Sequence, residues 1–133
     1  MDLSKVNYIA VLAAALSSFL IGGLWYSPIL FAKAWMREAG ISEDRLRENV
    51  AGVFLGAFVL SVVVALNLAF FLGAEASIAW GAGAGALAGI GWASASLATV
   101  FLFERRSLML IVIDGGYVAV SYTVMGTIIA AIQ

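Results

Sequence analysis

The sequence has 133 residues, is 64% hydrophobic and 11% charged, and carries a net charge of −1. Soluble domains are about 45–50% apolar and about 25% charged, so a water-surrounded fold of this size lacks the polar surface to cover such a composition; a bilayer accepts it, in keeping with the mean hydropathy of +1.07. The chain has no Cys and no His, which excludes disulfides, thiolate metal sites and thiol nucleophiles and removes the commonest metal ligand and general base. The near-neutral charge offers no global attraction to nucleic acid. These absences predict a protein that is not an enzyme and holds neither cofactor nor metal.

Four apolar stretches, approximately 6–27, 50–72, 78–103 and 108–132, occur in one 133-residue chain. A helix rises about 1.5 Å per residue and needs about 20 residues to cross a hydrocarbon core of ~30 Å. Each stretch is long enough, and none alternates strictly as a strand would. In lipid the backbone must satisfy its own hydrogen bonds, which a helix does within one segment. The prediction is an all-α, integral membrane four-transmembrane-helix bundle forming a single membrane domain over 1–133. The first stretch is longer than a leader's apolar region and is followed by no clear cleavage site, so it reads as a span.

After the first stretch comes the longest connection, 28–49. Pro28 suits the first turn of a new helix, and Ile29 to Arg37 is amphipathic with Trp35 at the membrane–water boundary. This predicts a short interfacial helix ended by Gly40. Ser42 then reads as an N-cap with Glu43 and Asp44 in the first turn, opening a helix that runs straight into the second span. The second and third spans are joined by Gly73-Ala74-Glu75-Ala76-Ser77, and the third and fourth by Glu104-Arg105-Arg106-Ser107. Such short links predict antiparallel neighbours.

Basic residues are distributed unevenly. Lys33, Arg37, Arg45, Arg47, Arg105 and Arg106 fall on one side and Lys5 alone on the other. By the positive-inside rule the long connection and the Glu-Arg-Arg turn lie in the cytoplasm, with both termini outside. The implied setting is the cell inner (plasma) membrane, with the lipid bilayer as the surrounding partner.

Helices associate in lipid through small residues and interhelical hydrogen bonds. Gly81, Gly85 and Gly89 recur every fourth residue of the third span, and Ala14, Ser18 and Gly22 share a face of the first. Gly52 and Gly56 do so in the second. All read as packing seams, within one chain or in a homo-oligomer, and Asn67 reads as an interhelical hydrogen bond. A faint echo links Gly22–Ser27 to Gly89–Ser94, 67 residues later, as a parallel internal repeat would.

Asp114 is the sharpest feature. A carboxylate at bilayer depth costs roughly 2.5–3.5 kcal/mol on insertion scales and normally faces the bundle or a wet cavity. Tyr117 and Ser121 continue its face. The first span ends at the same depth in Trp25-Tyr26-Ser27-Pro28. Two readings stay open. In one, Tyr26, Ser27, Asp114 and Tyr117 line a polar cavity open to the cytoplasmic side. In the other, Asp114 pairs with Arg105, Arg106 or Lys33, or hydrogen-bonds Tyr26, and locks the bundle.

With those residues in place, the chain resembles a family of short bacterial membrane proteins known only as a domain of unknown function. The resemblance rests on Asn7-Tyr8, Gly23-Leu24-Trp25-Tyr26-Ser27-Pro28, Lys33-Ala34-Trp35-Met36, Phe103-Glu104-Arg105-Arg106 and Gly116-Tyr117. It covers most of the chain, and the Trp-Tyr-Ser-Pro block is its specific part. It implies about four spans, no agreed activity, and a hydrogen-bonding role at position 114 in preference to proton relay. The function expected is structural or accessory, acting through helix packing. The alternative is a small homo-oligomeric transporter or channel using Asp114, its small-molecule substrate unknown.

Overall fold

The computed structural model describes residues 2–132. Among them there is no strand, and four helices are long and apolar enough to cross a membrane. The protein is an all-α bundle of four candidate spans. A single 3-10 turn, Leu3–Lys5, precedes α1, Tyr8–Trp25. The Asn7 side chain caps α1 by accepting from the amides of Ile9 and Ala10. Two short helices follow, α2 at Ala32–Ala39 and α3 at Glu43–Leu46. The remaining spans are α4, Val50–Leu72, α5, Ile78–Phe103, and α6, Leu108–Ile132.

Three local expectations need correction. The helix expected from Pro28 begins four residues later, at Ala32. Between them the chain folds into successive turns, in which the amides of Leu30 and Ala32 donate to the Ser27 carbonyl and that of Phe31 to Trp25. The helix opened by Ser42 does not run into the second span. Ser42 does cap it, accepting from the Arg45 amide, but it stops after one turn, and Asn49 sits in the left-handed region (φ 48) before α4 begins. Asn tolerates that conformation because its short polar side chain can bond locally. Asn67 reaches no other helix: its amide nitrogen donates to the Val63 carbonyl one turn back, and the residue is exposed.

α5 holds a further departure from regular geometry. Residues Ala88–Ser94 form π-helical turns inside an otherwise α-helical span. The widening falls where Gly89 and Gly91 relieve side-chain crowding, and the Ser94 hydroxyl donates to the Gly115 carbonyl of α6 at 2.7 Å. π turns are rare and occur mostly as local bulges. The echo of Gly22–Ser27 therefore falls on unlike local structure, an α-helix end in one copy and a π segment in the other. Trp25 is half-buried while Trp92 is exposed.

α6 is the hub. It packs along α1 on one side and α5 on the other, with α4 against α1 and α6. The α1–α6 pair is antiparallel, in a register read from its hydrogen bonds: Asn7 with Ile132, Ser18 with Ser121 and Tyr117, Trp25 with Ile113, Tyr26 with Asp114. Between α5 and α6 the contact is backbone against backbone. A methyl group on Gly81 would overlap the Gly126 carbonyl, and one on Gly85 the Tyr122 carbonyl. One on Gly89 would lie 2.9 Å from Tyr122 Cβ. The apolar core is small-residue packing at the end holding the chain termini. There Val11, Ala14 and Ala15 of α1 meet Ala65, Leu68 and Leu72 of α4, Ala84 of α5, and Met125 and Ile129 of α6.

Candidate functional site: a polar seam between the first and last spans

Towards the basic end the α1–α6 contact changes from apolar to polar. The change follows from the face on which Asp114, Tyr117 and Ser121 lie, one turn apart, so that in the antiparallel register they meet Tyr26 and Ser18 in turn. The Tyr26 hydroxyl donates to Asp114 Oδ1 at 2.8 Å. The Tyr26 ring is itself held between Trp35 of α2, at 4.8 Å between centroids, and Tyr117, edge-on at 5.4 Å. Tyr117 continues the network inward. Its hydroxyl lies 2.9 Å from Ser18 Oγ and donates to the Ser18 carbonyl at 3.1 Å, while the Ser121 hydroxyl donates to Ser18 Oγ at 2.9 Å. Ser18 and Ser121 are buried, at 4% and 2% exposure.

Small residues make this possible. A Cβ on Gly22 would come within 3.2 Å of the Tyr117 hydroxyl oxygen, so glycine there leaves room for the tyrosine. Gly116 takes the Trp25 indole, where a Cβ would lie 3.0 Å from Cζ2. The Trp25 ring nitrogen donates to the Ile113 carbonyl at 2.9 Å. The ring packs on Phe31 at 5.1 Å, which ties the turn after α1 to the same seam.

Tyr26, Asp114 and Tyr117 are thus brought together. Ser27 is not: its hydroxyl donates to the Leu24 carbonyl of its own helix end at 2.6 Å. Next to Pro28 the chain has left the helix, and the nearest acceptor is the carbonyl three residues back. No described salt bridge involves Asp114. Arg106, which could have paired with it, engages Glu104 at 2.7 Å and lies over the Phe101 ring. The participants not singled out from sequence are Ser18 and Ser121 as hydrogen-bond partners, Trp25 as a donor to α6, and Ser94. Ser121 was visible on the Asp114 face; Ser18 needed knowledge that α1 and α6 are neighbours.

Chemically the seam is two hydrogen-bonded groups, the Ser18, Tyr117 and Ser121 hydroxyls and the Tyr26–Asp114 pair, joined by the ring contact between Tyr26 and Tyr117. It provides donors and acceptors to one another across two helices. Recessed surface occurs at the opposite end, in a groove of about 270 Å³ lined by Asp2, Lys5, Asn7, Ala69 and Phe70 among others. Among the described residues no group of three or more His, Cys, Asp or Glu is arranged to hold a metal ion.

Comparison with known proteins adds a family. Residues 9–130 match the family described as protein of unknown function (DUF1761). No curated protein and no solved structure matches.

Proposed function

Because the chain belongs to that family, whose description leaves its activity open, we propose from the geometry alone that it is a non-catalytic membrane protein. Its role is structural or accessory, exerted through helix packing. The observation that carries this is the Tyr26–Asp114 hydrogen bond, with Tyr26 wedged between Trp35 and Tyr117. A carboxylate held this way joins α1, α2 and α6 at one depth. The glycine face of α5 supports the same reading by bringing α6 into backbone contact. We place the protein in a bacterial inner membrane on the strength of the sequence resemblance, and its basic end in the cytoplasm on the count of basic residues. Cysteine labelling at positions 45 and 75 tests that orientation.

One observation favours a second reading, a small homo-oligomeric transporter or channel. Asp114 is only half-buried, and among the described residues its second carboxylate oxygen accepts no hydrogen bond. Two variants separate the readings. Asn at 114 keeps an acceptor for Tyr26, so Asp114→Asn should unfold within about 0.5 kcal/mol of the parent in mixed micelles, whereas Asp114→Leu should lose about 1–2 kcal/mol. If Asp114→Asn folds normally in proteoliposomes but abolishes a proton flux that the parent shows, the packing role is wrong and the transporter reading takes its place.

A further inference from the structure

The groove at the end opposite the polar seam lies where spans meet the membrane boundary, since α1 begins at Tyr8 and α4 ends at Leu72. Its space of about 270 Å³ is bounded by the 3-10 turn ahead of α1 and by the last turns of α4 and α6. The lining is apolar on the inner side. Ile129 belongs to the core at 2% exposure, Val6 packs on that core, and Phe70 adds its ring. Asn7 ties the walls together. Its amide nitrogen donates to the Ile132 carbonyl of α6 at 3.0 Å, while its oxygen caps α1. The recess thus opens onto the interior between three helices, unlike the outward faces that meet lipid generally.

The rim carries one charge of each sign. Asp2 caps the 3-10 turn and Lys5 closes it, and both line the groove. Neither forms an ion pair among the described residues. The Ser4 hydroxyl and amide both donate to Asp2 Oδ1, at 2.6 and 3.0 Å. These bonds fix the carboxylate and hold its pKa below the usual range. Its Oδ2 accepts no hydrogen bond among the described residues. A head with only negative charge would be attracted by Lys5 and repelled by Asp2, and one with only positive charge the reverse. An anion and a cation above an apolar lining complement an amphiphile whose head bears both charges.

We propose that this groove binds phosphatidylethanolamine, its ammonium on Asp2, its phosphate on Lys5, and the start of an acyl chain over Val6, Phe70 and Ile129. A primary ammonium has three N–H donors for the carboxylate, as a lysine does, and charge-assisted bonds of this kind are the stronger class. A quaternary ammonium has no N–H to give. On the far side of Lys5 a second recess is lined by Glu75, Ser77 and Trp80. It is built largely from the α4–α5 hairpin and serves as the control. The inference rests on the four spans lying in a bilayer and is independent of whether the polar seam is a packing element.

The test is a lipid titration of the full chain in dodecyl maltoside, read by native mass spectrometry with three dioleoyl lipids. Phosphatidylethanolamine should be retained over both phosphatidylcholine and phosphatidylglycerol. Lys5→Gln should weaken phosphatidylethanolamine binding about fivefold. Asp2→Asn keeps an acceptor for Ser4 and removes the charge. It should weaken phosphatidylethanolamine about fivefold, strengthen phosphatidylglycerol, and so close the gap between them. Glu75→Gln should leave all three unchanged. Equal retention of the three lipids, preference for phosphatidylglycerol, or an unaltered lipid ranking in Asp2→Asn overturns the proposal. So does loss of the preference in Glu75→Gln, which would put the ligand in the second recess. Displacement of the lipid by millimolar phosphoethanolamine would assign the site to the free headgroup and overturn the lipid as its occupant.

Discussion

Alanine substitution at two glycines of α5 should move stability in opposite directions. Gly83 and Gly85 are two residues apart on the same helix and differ only in what lies opposite. Nothing is within 4 Å of a Cβ built on Gly83. Alanine there loses less backbone entropy on folding than glycine, a gain of about 0.5–1 kcal/mol. A Cβ on Gly85 would overlap the Tyr122 carbonyl oxygen and lie 2.9 Å from the Tyr122 carbonyl carbon and 3.0 Å from Thr123 Cα. These are backbone atoms in the middle of α6, so no rotamer change relieves the overlap. α5 must withdraw, and the close approaches at Gly81 and Gly89 loosen with it. Overpacking of this kind costs about 1–3 kcal/mol. After the propensity gain is subtracted, Gly85→Ala should be destabilised by about 1–2 kcal/mol. Gly126→Ala presses on the same seam, where its Cβ would overlap the Gly81 carbonyl. The Gly85→Ala/Gly126→Ala pair should therefore cost less than the sum of its parts, because helices already forced apart accept the second methyl more easily. Unfolding by SDS in mixed micelles, followed by far-UV circular dichroism, gives the four differences from the parent, for the three single variants and the pair. If Gly85→Ala proves as stable as Gly83→Ala, the α5–α6 backbone contact is not there and the glycine argument falls with it.

Two further outcomes follow from the seam and from the basic end. Ser18→Ala removes the hydroxyl shared by Tyr117 and Ser121 and should cost about 1–2 kcal/mol; Ser17→Ala, whose hydroxyl bonds only the Ala14 carbonyl of its own helix, should stay within about 0.5 kcal/mol of the parent. Equal effects in the same micelle assay would mean that the buried chain of hydroxyls is not holding α1 to α6. At the basic end, the Ser107 hydroxyl, with Arg37, holds the Glu38 carboxyl below the usual range. A depressed carboxyl stabilises the folded state above its unfolded value of about 4.3, and that contribution is lost as pH falls through the folded value. Trp35 fluorescence should report α2 loosening on acidification in the parent, and Glu38→Gln should lack that acid step. Superimposable pH profiles would rule out the Glu38–Ser107 tie.

The four spans were legible because length and apolar composition set them with little help from tertiary contacts. The local errors share a cause. Pro28 is compatible with a first helical turn, but the Ser27 carbonyl captured the following amides and delayed α2 to Ala32. Asn49 lies where a charged segment gives way to the apolar run beginning at Val50, but that change in hydropathy is equally compatible with one helix passing from water into the membrane, so the break was not legible. The π turns of α5 end at Ser94, whose hydroxyl bonds the Gly115 carbonyl of another helix, and such a contact has no mark in the sequence. The same limit applies to the seam. Asp114, Tyr117 and Ser121 could be read as one face of one helix, but their partners depended on α6 lying against α1. Ser27 was grouped with Tyr26 by adjacency, whereas its own helix end claimed its hydroxyl. Gly81, Gly85 and Gly89 could be recognised as a stripe; that it meets Gly126 and Tyr122 follows only from the packing.

The hub position of α6 has a consequence for how the molecule is made. A ribosome threads these spans into the membrane in order, and the helix on which α1 and α5 both pack is the last of the four to arrive. Until then α1 has α4 for company, and α5 has only a sparse contact with α4. Ser18 and the Gly81–Gly89 face wait in lipid for partners not yet inserted. Closure of the bundle is then a single late event, in which Tyr117, Ser121 and Gly126 enter two seams at once. Any delay at the Glu104–Ser107 turn would leave three helices with little to hold them together, and those would be the first substrate a membrane protease or insertion chaperone could see.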